Sequence, residues 1–144
     1  MKLPMMPWNS VIIAVVVSCF TVTPAFSSTE SIKSLPRVTC NVRWVHDGDT
    51  FRCDGYQKST RLYGVDAPEM PGSCRVGRSC VAGDPYAAKA QLERLIGGRA
   101  LQCVVTDTDR YRRPVMRCTS AGKDLSCAMV RSGKAVERYG KLGC

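Results

Sequence analysis

One short stretch of the chain combines residue types that could activate water beside an anion. Residues 60–69 read T-R-L-Y-G-V-D-A-P-E, so an apolar strand carries Arg61 near its start and ends in the carboxylates of Asp66 and Glu69. Pro68 fixes its own φ and favours an extended conformation at the residue before it. Two acids held close together repel each other unless a cation lies near them. The stretch therefore indicates a hard, oxygen-liganded cation and a bound water.

Two other clusters carry compatible chemistry. Residues 47–50 read D-G-D-T, and residues 109–113 read D-R-Y-R-R, which is rich in guanidinium groups that match phosphate oxygens. The first cluster fails as an EF-hand loop, because no glycine or late glutamate follows in register. Taken singly, each cluster could also be a plain turn or a solvated basic loop. For His46, the single histidine, we expect no catalytic role.

Taken together and in this order, the three clusters resemble the staphylococcal nuclease (thermonuclease) family. The similarity extends through a later segment, A-M-V-R-S-G, and spans about residues 40–139. It implies an α+β fold, mainly β, in which two to three helices pack on a five-stranded OB-type barrel. It also implies a calcium-dependent endonuclease that cleaves DNA and RNA and leaves 3′-phosphate ends.

The resemblance further implies a role for each residue of the site. The ligands of a single Ca²⁺ would be the carboxylates of Asp49 and Asp66 and the main-chain carbonyl of Ala67. Glu69 would be the general base, and Arg61 and Arg113 would hold the scissile phosphate. Contacts to the rest of the substrate would come from Arg110, Tyr111 and Tyr139.

The chain departs from the family pattern at two points. Ala67 stands where the family often has threonine, which keeps the carbonyl but removes a hydroxyl near the metal. Arg112 and Pro114 flank Arg113, where the family has glycine before its arginine and a small or flexible residue after it. These neighbours leave open whether Arg112 or Arg113 reaches the phosphate, and register favours Arg113.

The elements that must position these residues follow from periodicity and turn signals. Strands are predicted at residues 38–45, 50–53, 60–65, 99–105 and 114–118. A helix should begin at the N-cap Asp84, with Pro85 in its first turn, and end at Gly97. A second helix, over residues 125–132, should be capped by Asp124. The tail that follows carries no clear signal.

The cysteines indicate an oxidised protein. Nine are present, with no C-x-x-C motif, so a disulfide framework is favoured over a zinc site. Eight of them lie in the domain, where 105 pairings are possible. Their positions on predicted hairpins and loops favour sequential pairing: Cys40–Cys53, Cys74–Cys80, Cys103–Cys118 and Cys127–Cys144.

The N-terminus resembles a secretory signal. We expect a signal peptide over residues 1–27, a flexible leader over 28–37 and the domain over 38–144. The apolar run is too short for a stable membrane span. Secretion or a periplasmic location follows, and lipid anchoring through Cys19 is an alternative because V-V-S-C resembles a lipobox.

The charge points to a polyanionic partner. The net charge is +9, and 14 of the 21 basic residues are arginine. We expect a monomer that binds DNA and RNA largely independently of sequence, with single-stranded or loosely paired chains preferred. Two alternatives remain open: a catalytically silent nucleic-acid-binding module on the same barrel, and a disulfide-stapled secreted protein that binds another polyanion.

Overall fold

The computed structural model describes residues 34–144, so the predicted signal peptide and most of the predicted leader lie outside the described residues. Nine strands and two helices form this part of the chain. The strands are β1 (Arg37–Cys40), β2 (Val42–Val45), β3 (Thr50–Cys53), β4 (Thr60–Leu62), β5 (Val65–Asp66), β6 (Leu101–Thr108), β7 (Pro114–Ser120), β8 (Lys123–Asp124) and β9 (Val136–Glu137). The helices are α1 (Pro85–Ile96) and α2 (Leu125–Arg131).

The main sheet closes on itself. Its strands follow the order β1-β6-β7-β4-β3-β2, and only Asn41 separates β1 from β2. The order therefore begins and ends on one stretch of chain, which pairs with β6 through its first half and with β3 through its second. The result is the expected OB-type barrel of five strand lines, mainly β, with two helices packed on it.

Strand β4 lies where the three sequence clusters meet. It pairs antiparallel with β3, so Arg61 is opposite Thr50 of the D-G-D-T turn. On its other side it pairs in parallel with β7, so Arg61 is also opposite Val115, just after the arginine-rich loop. The barrel thereby brings all three clusters to one place.

The predicted strand over residues 60–65 is divided in two. Gly64 adopts a positive φ of 74°, so β4 ends at Leu62 and the chain resumes as β5. β5 pairs with β9, which puts Asp66 opposite Val136. The tail that carried no clear signal thus forms part of the wall around Asp66.

Both helices begin as predicted. The carboxylate of Asp84 accepts from the amides of Tyr86 and Ala87, and that of Asp124 accepts from the amide of Cys127. Helix α1 ends at Gly97 with φ 59°, the left-handed conformation that favours glycine. Its buried face is formed by Ala88, Leu92 and Ile96. Other large side chains fully buried in the core include Phe51, Leu62, Leu101, Met116, Leu125 and Met129.

The sequential disulfide pairing is confirmed. The four bridges are Cys40–Cys53, Cys74–Cys80, Cys103–Cys118 and Cys127–Cys144. Cys103 and Cys118 are direct partners across β6 and β7, and Cys40 and Cys53 join β1 to β3 beside the point where the barrel closes. Within residues 34–144, no helix has the length and apolar character that crossing a membrane requires.

Candidate active site

A pocket of about 760 Å³ opens beside β4. Its walls are the β4–β5 segment, the loop closed by Cys74 and Cys80, and the loop that joins β6 to β7. The residues predicted for catalysis and substrate contact all line it: Arg61, Glu69, Arg110, Tyr111, Arg113 and Tyr139. The fold therefore gathers these six residues from distant parts of the chain around one cavity.

The residues predicted as metal ligands lie beneath the pocket. Asp49 and Asp66 are 3% and 0% exposed, and Ala67 is also buried. Arg61 links the two carboxylates, since its Nη1 donates to Oδ1 of Asp49 at 3.1 Å and its Nη2 to Oδ1 of Asp66 at 2.8 Å. The amide of Ala67 donates to Oδ2 of Asp49 at 2.9 Å. Arg61 and the strand ends are thus held in one network.

Burial strengthens the electrostatic interactions between the charged groups of this network. Burial, together with the negative charges of Asp49 and Glu69, raises the pKa of Asp47 to about 7. Burial opposes the charge of Arg61, but the carboxylates of Asp49 and Asp66 outweigh it and raise the pKa of Arg61. Arg61 is therefore a permanent cation between two acids.

Two arginines that the sequence did not single out also reach these acids. Arg78 donates to Oδ1 of Asp66 at 2.6 Å and to Oε1 of Glu69 at 2.5 Å. Arg138 donates to Oδ2 of Asp66 at 2.8 Å. The available signals were weak: Arg78 lies within a cysteine-closed loop soon after Glu69, and Arg138 precedes a tyrosine of the predicted substrate site.

The arginine-rich loop presents Arg113 to the pocket and turns Arg112 away. Asp109 organises it by accepting from the amides of Tyr111 and Arg113, both at 2.9 Å, and from Nε of Arg113 at 2.7 Å. Arg112 has a φ of 62° and lines a separate surface hollow beside Pro114. Between the two alternatives that the sequence left open, the geometry favours Arg113.

Two exposed tyrosines flank the guanidinium groups. Tyr139, 66% exposed, lies with its ring centroid 5.6 Å from the guanidinium carbon of Arg61. Tyr111, 38% exposed, lies 4.9 Å from that of Arg110 and 5.5 Å from that of Arg113. An exposed ring beside a cation offers a stacking face for a planar group such as a nucleobase.

The single histidine takes part in a different cluster. His46 accepts from the indole of Trp44 at 2.8 Å and lies 2.9 Å from the hydroxyl of Ser59. Burial, followed by the charge of Lys89, lowers its pKa. The pocket described above is not lined by His46.

The predicted metal ligands fit a calcium ion in donor type. They would supply oxygen atoms only, which Ca²⁺ prefers. Among residues 34–144 no three His, Cys, Asp or Glu side chains form a metal-binding group, but the predicted set needs only two carboxylates and a carbonyl. A cation here must compete with Arg78 and Arg138 for Asp66.

Comparison with known proteins gives two matches. The family model described as staphylococcal nuclease homologue matches residues 59–142, which include Arg61, Glu69 and Arg113 but not the D-G-D-T turn at residues 47–50. A protein described as "Probable endonuclease LCL3", from Yarrowia lipolytica (strain CLIB 122 / E 150), is 38% identical over 90 residues. That alignment covers 58% of this chain and 37% of the yeast protein, so the chain spans little more than a third of that relative's length.

Proposed function

This chain belongs to the family of staphylococcal nuclease homologues, and from that premise we propose that it is an exported, calcium-dependent endonuclease. Its substrates would be DNA and RNA, and its products would carry 3′-phosphate ends. The observation that carries the proposal is the convergence of Arg61, Glu69 and Arg113 on one pocket above the buried carboxylates of Asp49 and Asp66.

The side chains at the pocket match what phosphodiester hydrolysis requires. Water must lose a proton as it attacks, and we assign its acceptance to Glu69, whose side chain is 15% exposed and lines the pocket. The phosphate gains negative charge as the attack proceeds, and the forks of Arg61 and Arg113 can donate N–H groups to its oxygens. Asp109 holds the second fork in place before substrate arrives.

The metal part of the proposal rests on three residues. Asp49, Asp66 and the carbonyl of Ala67 would hold Ca²⁺, which supplies charge neutralisation at the phosphate and polarisation of a water molecule. Arg61 and Arg138 donate to the two oxygens of Asp66 and fix the orientation of this carboxylate.

Substrate range follows from the pocket and the charge. Arg110, Tyr111 and Tyr139 offer a neighbouring phosphate contact and two stacking faces, none of which reads a particular base. The net charge of +9 favours binding that weakens as salt rises. A base can stack on a tyrosine only when it is not already stacked within a duplex, so we expect a preference for single-stranded or loosely paired chains. We also expect the protein to act as a monomer.

Export is proposed on the N-terminal sequence and supported by the cysteines. Residues 1–27 have the order of charged, apolar and small residues found in secretory signals. Four disulfides suit an oxidising compartment, either the periplasm or the medium. Mass spectrometry of the protein recovered from the producing cell would locate the new N-terminus and show whether Cys19 is lipidated.

A cleavage assay tests the enzyme proposal. Purified protein is incubated with single-stranded DNA, duplex DNA and RNA, with calcium and with excess chelator, and the product ends are identified. We expect cleavage only with calcium, faster on single strands, with 3′-phosphate ends. Equal cleavage in chelator, or 3′-hydroxyl ends, would reject the mechanism.

Glu69→Gln separates the enzyme from a silent binding module. Removing the base should lower the rate by about 10²–10⁴-fold, while oligonucleotide affinity stays near that of the unmodified protein. Glu93→Gln, on the exposed face of α1, removes the same charge away from the pocket and is the matched control. If the unmodified protein binds oligonucleotides and never cleaves them, the silent module becomes the better interpretation.

A further inference from the structure

The loop of residues 74–80, here called the disulfide loop, forms one whole wall of the pocket. The Cys74–Cys80 bridge closes it, and its carbonyl at Ser79 accepts from Arg138 at 2.9 Å. On the opposite side of the pocket, Arg75 hydrogen-bonds the hydroxyl of Tyr111, and its guanidinium carbon lies 4.4 Å from the ring centroid. The loop is therefore fixed at three points and spans the pocket between two of its walls.

Among the described residues, no carboxylate balances the charge of Arg75. Within residues 34–144 it forms no ion pair with a carboxylate, and the same holds for Arg110 on the facing loop. Both guanidinium groups lie over the ring of Tyr111, at 4.4 and 4.9 Å. Two unpaired cations on one aromatic ring repel each other, and an anion bound between them would remove that repulsion.

Arg78 has N–H donors that its contacts with carboxylates do not use. A guanidinium group has five N–H donors, and in the described chain the hydrogen bonds of Arg78 use its Nη1 toward Glu69 and its Nη2 toward Asp66. Its side chain remains 27% exposed at the pocket wall. The same group can therefore hold the base Glu69 and still donate to an anion in the pocket.

We propose that the disulfide loop is a second phosphate-binding element, in which Arg75 and Arg78 contact backbone phosphates next to the scissile one. This rests on the proposed nuclease function and adds a subsite beside the loop that carries Arg110 and Arg113. The class of ligand is a nucleic-acid backbone, because guanidinium forks match phosphate oxygens and the intervening Tyr111 offers a stacking face. The disulfide keeps both arginines in position before substrate binds.

The dependence of affinity on salt measures how many phosphates the protein neutralises. Binding of a fluorescent single-stranded oligonucleotide is measured by anisotropy at several salt concentrations, in calcium and in the Glu69→Gln background so that no cleavage occurs. A variant that neutralises one phosphate fewer should show a slope of log K against log salt that is smaller by about 0.7. We therefore expect a smaller slope for Arg75→Gln and for Arg78→Gln, and the smallest slope for the double variant.

Two controls make the measurement specific. Arg99→Gln removes one positive charge from an exposed position outside the pocket and should leave the slope unchanged. Arg75→Lys keeps the charge and should recover most of the slope. Unfolding midpoints of all variants are compared to show that the loop change has not unfolded the domain.

The possible outcomes separate this inference from the function beneath it. Slopes for Arg75→Gln and Arg78→Gln that equal that of Arg99→Gln, together with cleavage by the protein in which Glu69 is intact, would overturn the inference alone. So would an Arg78→Gln variant that cleaves faster at limiting calcium with an unchanged slope, since Arg78 would then act against the metal. A protein that neither binds nor cleaves nucleic acid would overturn both.

Discussion

At the scale of single residues, Arg61 connects the two buried carboxylates of the site. Its two terminal nitrogens donate to Asp49 and Asp66, while Nη2 also donates to the carbonyl of Val65 at 3.2 Å. A lysine there keeps the charge but has no planar fork, so it cannot hold two carboxylates and a phosphate at once. The geometry of the acids and the proposed contact to phosphate therefore depend on one side chain.

Because Arg112 and Arg113 are adjacent, matched substitutions can test which of them contacts the phosphate. Arg113→Gln removes a fork from the pocket and should lower kcat/KM by about 10²–10³-fold, as losing a single oxyanion donor does. Arg112→Gln removes the same charge one residue earlier, outside the pocket, and should change it less than about threefold. Steady-state kinetics on one oligonucleotide measures both. The opposite ranking would assign the phosphate to Arg112.

Sequence reasoning succeeded at residues that are close along the chain. Arg61 and Asp66 lie on one strand and its continuation, and the resemblance to a known family, carried by this stretch, already implied that they belong to one site. Arg138 lies 72 residues beyond Asp66, and only the β5–β9 pairing brings the two together. Arg78 is near in sequence, yet its direction depends on how the disulfide loop folds back, which no local periodicity encodes.

At the scale of elements, Asp109 makes the β6–β7 loop a fixed platform. Slight burial opposes ionisation, but hydrogen bonds from the amide and guanidinium of Arg113 outweigh it and lower the pKa of Asp109. A lowered pKa in the folded state means that the stabilisation is complete above the unfolded pKa, about 3.9. It is lost as the pH falls through the folded value.

Asp109→Asn should therefore destabilise the protein at neutral pH and matter much less in acid. Urea unfolding at pH 7 and near pH 3 would show a lower midpoint for the variant at the first pH and a narrower difference at the second. Asp107→Asn, which removes a carboxylate that does not pair with Arg113, serves as the control. A difference that stays constant or widens in acid would contradict the assigned role.

The D-G-D-T turn touches helix α1 directly. A Cβ on Gly48 would lie 2.7 Å from the Cβ atoms of both Ala67 and Ala88. Gly48→Ala should lower the free energy of unfolding by about 1–3 kcal/mol through overpacking. Activity should fall as well, because Ala67 donates its amide to Asp49 and must move.

A compensating change tests this packing. Ala88→Gly removes one of the two opposing methyl groups and opens space away from Ala67, so the double variant should regain part of the activity lost in Gly48→Ala, although glycine inside a helix lowers stability by about 1 kcal/mol. Thermal unfolding and cleavage rates of the two single variants and the double variant complete the cycle. Activity that stays low in the double variant would show that the turn is not limited by this contact.

Helices and turns could be predicted from the sequence because their signals are local, whereas the pairing of strands could not. The cap at Asp84, the stop at Gly97 and the hairpin turns are encoded within a few residues, and the helices follow them. The parallel pairing of β4 with β7 joins strands more than fifty residues apart, and the break at Gly64 depends on that arrangement. The barrel itself was expected from the family resemblance rather than from the pattern of strands.

At the scale of the whole molecule, the four bridges follow one another without interleaving. From Cys40 onward the cysteines pair in order along the chain, the first with the second and the third with the fourth, through to the last pair. The paired residues are separated by 13, 6, 15 and 17 positions. As the domain is synthesised from its N-terminus, the correct partner for the second cysteine of each pair is therefore the one preceding cysteine of the domain that has not yet formed a bridge. Oxidation in order of synthesis reaches the native set with no bridge that must later be broken.

Such a chain has little need of a disulfide isomerase. Reduced, unfolded protein lacking residues 1–27 should refold in a glutathione buffer to near-full activity, and added isomerase should change the final yield by less than about twofold. Peptide mapping of trapped intermediates should find mostly native bridges. A yield that rises several-fold with isomerase would show that scrambled pairs form despite the order of the cysteines. A protein whose cysteines pair in this order can thus mature in a compartment that supplies an oxidant but no isomerase to correct wrong disulfides.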